Sequence, residues 1–178
     1  MKDKMRNIDW TKVAIAISLA IFWIVTGICV YKIVSDAAGA GYNRIEDTQN
    51  STVVEITENV SEIYPICPEL LQAIVFYESS NKMSARSGKC IGYMQVSTKY
   101  HSARAESLGV SLSDGYGNIL TGTDYLMELI EKHDDVATAL MVYNGSSDAV
   151  ERGKSGNLTS YARNILELSE QLERYHGK

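Results

Sequence analysis

The sequence predicts a mainly α-helical domain that is preceded by one membrane-spanning helix and a linker. Three observations predict it: an uncharged apolar run near the N-terminus, a small polar stretch after it, and apolar residues at helical spacing over most of the rest. No stretch alternates convincingly like a strand, except around Cys90–Val96. We therefore divide the 178 residues into a head (1–12), a membrane helix (13–34), a linker or stalk (35–64) and a helical domain (65–175).

The predicted membrane helix rests on Val13–Tyr31, a run of 19 residues without a charge. At about 1.5 Å rise per residue it spans roughly 28 Å, close to the hydrocarbon thickness of a bilayer. A cleaved signal peptide is the alternative, since Ala38–Ala40 is a usable cleavage site, but its apolar core is usually about 7–15 residues long. Lipoprotein processing at Cys29 is rejected because Ile28 is too bulky for the small residue that lipobox cleavage needs.

Charge predicts the orientation and excludes one class of partner. Four basic residues precede the apolar run and only Lys32 follows it closely, so the N-terminus is expected in the cytoplasm and the domain outside. The net charge is −5, and the chain from Val34 onward carries −8. Such an acidic exterior argues against nucleic-acid binding, which needs a basic face.

The cysteine and histidine residues predict a disulfide and no metal site. Cys67 and Cys90 are both expected outside the cell, where disulfides persist, and a bond between them would contribute roughly 3 kcal/mol in the chain-entropy model. The three histidines are scattered and are interpreted as exposed polar residues. No cofactor or metal is predicted.

Helical patterns follow one another through the domain. Val53, Ile56, Val60 and Ile63 have the spacing of a short amphipathic helix or stalk. Further helices are predicted from Pro68, which suits a first helical turn, over Asn118–Glu131, after a cap at Asp134 or Asp135, and from Leu158 to the end. Asn144-Gly145 is expected to end the third of these with a left-handed cap, and residues 84–89, 97–113 and 146–157 are predicted as loops.

Glu78 is the most informative residue. It completes the apolar stripe of Leu71, Ile74 and Val75 at position i+7. A carboxyl on an apolar face is costly to ionise, so its pKa should rise, as a general acid requires near neutral pH. The structural alternative is a glutamate turned to solvent, or one paired with Lys82 or Arg86.

Several short segments in order point to a family. They are Tyr-Glu-Ser-Ser (77–80), Gly-Tyr-Met-Gln-Val (92–96), Asn118 with Gly122 and Tyr-Leu (125–126), Val-Tyr-Asn-Gly (142–145) and Tyr-Ala-Arg-Asn-Ile-Leu (161–166). Together they resemble the lytic transglycosylases of the soluble-lytic-transglycosylase type, which share the goose-type lysozyme fold. Tyr93 stands where the family usually has Leu and Val142 where Ala is common, and residues 97–113 differ from the family pattern.

The resemblance implies a role for each matching residue. Glu78 corresponds to the family's sole catalytic acid and base, and Ser79 to a serine that orients it or the substrate's acetamido group. The resemblance also places these residues at the substrate cleft: Met94, Gln95, Tyr143, Asn144 and Tyr161. The side chains of Met94, Tyr125 and Tyr161 fit a helical core stripe equally well.

The activity implied is cleavage of the MurNAc–GlcNAc β-1,4 bond of peptidoglycan with formation of 1,6-anhydromuramoyl ends, on the outer side of a bacterial cell membrane. The partners expected are glycan strands and the membrane, with an envelope-spanning assembly left open. A lysozyme-type hydrolase with a second acid, Asp114 or Asp124, is one alternative, although Asp114 sits in a turn-like Ser-Asp-Gly. A non-catalytic glycan-binding or scaffold protein on the same fold is the other.

Overall fold

Helices make up most of residues 45–178, the part of the chain that the computed structural model describes. After a helical turn at residues 45–48, the helices are α1 (Ser51–Ser61), α2 (Pro68–Ser79), α3 (Thr98–Ser107), α4 (Gly115–His133), α5 (Val136–Tyr143), α6 (Ala149–Ser155) and α7 (Ser160–Tyr175). Strands β1 (Arg86–Ser87), β2 (Cys90–Ile91) and β3 (Val96–Ser97) form an antiparallel sheet in the order β1-β2-β3. The architecture is therefore mainly α, with a small sheet between α2 and α3.

Local capping explains where the helices begin and end. The side chains of Asn50, Asp135 and Thr159 accept hydrogen bonds from backbone N–H groups in the first turns of α1, α5 and α7. Pro68 occupies the first position of α2, as predicted. Helix α5 ends at Asn144 with φ −77°, and Gly145 directly after it is left-handed (φ 80°), which confirms the expected cap at Asn144-Gly145.

Helix α2 lies at the centre of the core. It packs against α7 and α1, while α4 packs against α1 and α5. The predicted stripe of α2 is buried, with Leu71, Ile74 and Val75 at most 1% exposed. Burying side chains of this kind contributes roughly 1.5–3 kcal/mol each, so α2 is held firmly at both faces.

Three sequence predictions are corrected here. Residues 97–113 and 146–157 contain α3 and α6 rather than loops alone. Helix α3 buries only Ala105 and α6 only Ala149, so neither carries the apolar stripe that would have revealed it. Residues 45–64 belong to the same compact unit as the domain, because α1 packs on α2 and α4, and they do not form a separate stalk.

The head and the membrane helix predicted at 1–34 lie outside the described residues, as does the linker up to residue 44. Within residues 45–178, no helix combines the length and the apolar character needed to span a membrane.

A buried glutamate fixes the first turn of α2. Glu69 is 1% exposed, and its carboxylate is contacted by Cys67 Sγ, His176 Nδ1 and Lys178 Nζ, each at 2.8 Å. Burial alone would raise the pKa of Glu69, but these hydrogen bonds hold it at about 2. His176 also contacts Gln49 at 3.3 Å, so the first and last described segments meet at this carboxylate.

Candidate active site

Glu78 lies in the last turn of α2 and lines a cleft of about 300 Å³. The other lining residues are Ser87, Cys90, Gln95, Tyr143 and Asn144. Left-handed Ser80 (φ 50°) and Asn81 (φ 60°) turn the chain away directly after the helix. Because α2 ends here, no further helical turn covers Glu78, and its side chain faces the cleft.

The hydroxyl of Tyr161, in α7, is the hydrogen-bond partner of Glu78. It donates to Glu78 Oε1 at 2.5 Å. Burial raises the pKa of Glu78 above its ordinary value of 4.5, and the Tyr161 hydrogen bond lowers it in part. Burial and the nearby Glu78 charge raise the pKa of Tyr161, so that its hydroxyl stays protonated. The site thus holds a carboxyl whose pKa is shifted in the direction that a general acid needs.

Gln95 reaches the cleft through a strained turn between β2 and β3. Its backbone is left-handed (φ 45°), and its Nε2 donates to the carbonyl of Gly92 at 2.9 Å. A non-glycine residue in this region is uncommon and persists where the surroundings fix it. The turn therefore presents the Gln95 side chain in one defined position.

Asn118, in α4, fixes that turn from behind. Its Nδ2 donates to the carbonyls of Ile91 (2.9 Å) and Leu112 (3.1 Å), and its Oδ1 accepts from the Met94 N–H at 2.9 Å. A Cβ on Gly92 would lie 2.3 Å from the Asn118 amide, so this close approach requires glycine. Sequence reasoning used Asn118 as a family motif and gave it no role; here it positions the Gln95 turn.

Tyr143 and Asn144 reach the cleft at the end of α5. The Tyr143 hydroxyl donates to the carbonyl of Met94 at 2.9 Å, and Asn144 is exposed. Burial and the Glu78 charge raise the pKa of Tyr143 well above its ordinary value, so it stays a neutral donor. Because its hydroxyl is bonded to the backbone, Tyr143 presents its ring rather than a free polar group.

Two predicted site residues lie elsewhere. Met94 is fully buried, and a Cβ on Gly122 would stand 2.8 Å from its sulfur, so its side chain belongs to the core. Ser79 is 8% exposed, and its hydroxyl donates to the carbonyl of Val75 at 3.0 Å, back into its own helix. Tyr93 is also buried, against Gly115. Neither of the two predicted residues, nor Tyr93, lines the cavity of Glu78.

A second cavity of about 280 Å³ continues the cleft. It shares Cys90, Gln95 and Tyr143 with the first cavity. Its other lining residues are Val96, Ser97, Tyr100, His101, Tyr125, Val142 and Gly145. Rings of His101 and Tyr125 lie 4.3 Å apart and those of Tyr125 and Tyr143 5.5 Å apart, so aromatic side chains follow the cavity in a row.

Sequence reasoning missed most of this second cavity. His101, interpreted as an exposed polar residue, is part of it, and burial lowers the pKa of His101. Tyr100 and His101 belong to α3, whose sequence gave no helical signal. A depression of about 370 Å³ beside α3, which includes Glu106, shares no lining residue with either cavity.

Neither candidate for a second acid lines the cleft. Asp114 caps α4 by accepting a hydrogen bond from the N–H of Gly117 at 2.9 Å. Asp124 pairs with Arg104 and accepts a hydrogen bond from the Tyr64 hydroxyl at 2.8 Å. Among the described residues that line the two cavities, Glu78 is therefore the sole carboxylate.

The expected disulfide between Cys67 and Cys90 does not form in the structure, where both are free thiols. Cys67 precedes α2 and lies at Glu69, whereas Cys90 lines the cleft with Glu78, at the other end of a helix of 12 residues. At about 1.5 Å per residue that helix is roughly 18 Å long, whereas a disulfide needs Cα atoms within about 7 Å.

Comparison with known proteins gives two findings. The family model of the transglycosylase SLT domain matches residues 55–165, which include every cleft residue described above. A transglycosylase of Enterobacteria phage PRD1 is 35% identical over 92 residues, which cover 51% of this chain and 33% of that protein. The chain thus matches about a third of the length of this curated relative.

Proposed function

This chain belongs to the transglycosylase SLT domain family, and we propose that it is a peptidoglycan lytic transglycosylase with Glu78 as its acid and base. It cleaves the β-1,4 bond between MurNAc and GlcNAc and leaves a 1,6-anhydromuramoyl end. The observation that carries the proposal is the single carboxylate in the cleft, Glu78, with its raised pKa and its Tyr161 partner.

A single carboxylate in the cleft limits the mechanisms by which a glycosidic bond can be broken there. Ordinary inverting and retaining glycosidases need two carboxylates, one on each side of the bond. Asp114 and Asp124 make contacts outside the cleft. Among the described residues that line the cleft there is thus no second carboxylate to activate water or to form a covalent sugar ester. The substrate supplies the nucleophile in this proposal.

In the first step, the protonated Glu78 donates its proton to the glycosidic oxygen as the bond from muramoyl C1 to that oxygen breaks. The GlcNAc unit leaves with a free 4-hydroxyl. The muramoyl acetamido oxygen stabilises the positive charge that develops at C1. Because Tyr161 donates to Glu78 Oε1, that oxygen accepts and Oε2 carries the transferred proton.

In the second step, the muramoyl C6 hydroxyl attacks C1 and passes its proton to the Glu78 carboxylate. The new C1–O6 bond closes the anhydro ring, and Glu78 is again protonated. Intramolecular attack has a large advantage, with effective molarities on the order of 10⁵ M or more in well-oriented cases. No water is consumed, so the masses of the two products add up to that of the substrate.

The remaining cleft residues bind and orient the glycan. Gln95, fixed by its turn, offers an amide to sugar hydroxyl or acetamido groups, and Asn144 offers a second amide across the cleft. Tyr143 lines both cavities, and its ring provides an apolar face for a sugar ring. Ser79 and Met94 support these groups indirectly.

Mass spectrometry of the products tests the proposal. Purified peptidoglycan is incubated with the full-length protein in a non-ionic detergent, and with Glu78→Gln as the control. Anhydromuramoyl ends, lighter by one water than reducing ends, are expected from the wild type and not from the variant. Reducing ends without anhydro products would establish a lysozyme-type hydrolase instead, and no cleavage at all would leave a glycan-binding protein.

The proposal includes a single-pass anchor in the bacterial cell membrane with the domain on the outer side. It rests on the uncharged run Val13–Tyr31 and the basic residues before it. The protein is expected to stay in the membrane fraction after a high-salt wash and to keep its N-terminal residues. A mature N-terminus near Gly41 would show that the segment is a signal peptide.

A further inference from the structure

One wall of the cleft has a charge opposite to that of the rest of the domain. Residues 79–105, which form the sheet and most of α3, contain five Lys or Arg residues and no Asp or Glu. The other residues between 45 and 178 contain 19 acidic and six basic side chains. An anionic polymer would be repelled by most of this surface and attracted by the cleft wall.

Lys89 and Lys99 bring this positive charge to the edge of the two cavities. Lys89 lies in the turn between Ser87 and Cys90, which line the first cavity. The Nζ of Lys99 lies 3.0 Å from the hydroxyl of Tyr100, which lines the second. The Lys89 carbonyl accepts from the Thr98 N–H at 2.9 Å. The turn that carries Lys89 therefore lies beside the start of α3, which carries Lys99.

Neither lysine is neutralised by the described part of the chain. Arg104, in the same segment, forms ion pairs with Asp124 and Glu128 on α4. Lys89 and Lys99 are exposed and form no ion pair with any residue in 45–178; Lys99 lies over the Tyr100 ring, 4.7 Å from its centre. Their charges are therefore available to a ligand in the cleft.

We infer that Lys89 and Lys99 bind the carboxylates of the stem peptides, so that the preferred substrate is glycan whose muramoyl residues carry peptides. This inference rests on the proposed function. The amino-sugar backbone is neutral while its lactyl groups are in amide linkage, whereas each peptide attached to a muramoyl lactyl group brings carboxylates beside the scissile bond. At physiological ionic strength a charge acts over about 8 Å, so cations at the cleft edge reach such a group and more distant cations do not.

Two strand preparations and two double variants test the inference. Full-length protein is assayed on peptide-bearing glycan strands and on the same strands after an amidase has removed the peptides and the lactyl carboxylates freed by it have been coupled to methylamine. These uncharged strands are the stripped strands. The test variant is Lys89→Gln with Lys99→Gln, and the control is Lys132→Gln with Lys154→Gln, which removes the same charge from exposed lysines outside residues 79–105.

The wild type is expected to have the lower KM on peptide-bearing strands. Each exposed contact with a carboxylate is expected to change KM by about two- to fivefold. The KM of the test variant on peptide-bearing strands should therefore rise by up to about 25-fold, with kcat unchanged. On stripped strands the test variant should have the KM of the wild type. The control variant should match the wild type on both kinds of strand. The wild type's preference for peptide-bearing strands should decrease as the salt concentration is raised.

Equal kinetics of the wild type on both strands would overturn the inference while leaving the proposed function intact. An equal loss on both strands would show a structural role, and an equal loss in the control would show a non-specific charge effect. If the wild type cleaves neither kind of strand, the proposed function fails. Binding of peptide-bearing strands by Glu78→Gln, and its loss with added salt, then still tests whether the two lysines bind the peptides. Stronger lysine-dependent binding to vesicles of an acidic phospholipid would assign the wall to a membrane instead.

Discussion

Helix α2 carries a glutamate near each end, and the pKa values of the two carboxyls are shifted in opposite directions. Glu69, in the first turn, has three hydrogen-bonding partners and a pKa of about 2. Glu78, in the last turn, has one, and its pKa is raised. Burial raises the pKa of both, so the difference comes from the partners and from the helix dipole, which favours an anion at the N-terminus and disfavours one at the C-terminus.

The contrast distinguishes a structural carboxylate from the one proposed to be catalytic. Glu69 keeps its charge and binds the C-terminal residues, whereas Glu78 can change its charge and faces an open cleft. Burial of a carboxyl on an apolar helix does not by itself identify a catalytic acid. The number of hydrogen-bond donors around the carboxyl and its access to a cavity distinguish the two roles.

The largest effect is expected from Glu78→Gln. Because general acid–base catalysis contributes about 10²–10⁴-fold and Glu78 acts in both steps, glycan cleavage should fall by at least about 10³-fold. The fold should persist, as checked by circular dichroism. A folded variant with near-wild-type activity would refute the assignment of Glu78.

The same substitution should also change how the stability of the protein depends on pH. Since the pKa of Glu78 is raised on folding, the wild type loses stability as the pH rises above the ordinary value of 4.5, and the glutamine variant does not. The Tm of Glu78→Gln should therefore exceed that of the wild type at neutral pH and equal it in acid. A lower Tm at neutral pH would show that the ionised carboxylate stabilises the fold.

Glu69→Gln should affect stability and leave the chemistry intact. Removing the charge that three donors share is expected to cost about 1–3 kcal/mol at pH 7. Because the pKa of Glu69 is lowered, its contribution is present above about pH 4.5 and is lost as the pH falls toward 2, so the two proteins should converge in strong acid. Urea unfolding at several pH values measures this, and lower activity per folded molecule would contradict the separation of the two ends.

Tyr161→Phe tests the single partner of Glu78. Losing the hydrogen bond should raise the pKa of Glu78 further, since that bond lowers it. The alkaline limb of the pH–rate profile should shift to higher pH, and kcat should fall by about tenfold as Glu78 loses its orientation. A lower kcat without any shift of the limb would indicate a packing role for Tyr161 alone.

Lys178→Met should have the smallest effect. Lys178 is half-exposed and is one of three partners of Glu69, so its loss should cost about 0.5–1 kcal/mol. Added salt should reduce the difference from the wild type in urea unfolding. A loss as large as that of Glu69→Gln would show that Lys178 alone holds the carboxylate.

Local pattern predicted the parts of the fold that bury a regular stripe. The predictions for α2, α4, α5 and α7 are confirmed because each helix presents apolar residues to the core at helical spacing. Helices α3 and α6 bury one residue each, and no pattern in sequence identifies such a helix. The sheet was indicated only by the stretch around Cys90–Val96.

The site was predictable where a residue and its setting are close in sequence. Glu78 was singled out from its own helix, and the resemblance grouped it with Gln95, Tyr143, Asn144 and Tyr161. In the structure Gln95, Tyr143 and Asn144 line one cavity with Glu78, and the Tyr161 hydroxyl donates to Glu78. That these residues bind substrate stays a prediction. Glu69 was overlooked because its partner His176 is 107 positions away. The row from His101 to Tyr143 likewise depends on how α3 packs on α4, which no local pattern contains.

The contact of Gln49, His176 and Lys178 at Glu69 brings the two ends of the domain together, far from the cleft. A helix of 12 residues, roughly 18 Å long, separates that meeting point from Glu78. A short peptide could thus join residue 49 to residue 178, and a circular permutant opened in an exposed loop would keep its cleft. The same geometry lets another domain be fused at either end without covering the catalytic face.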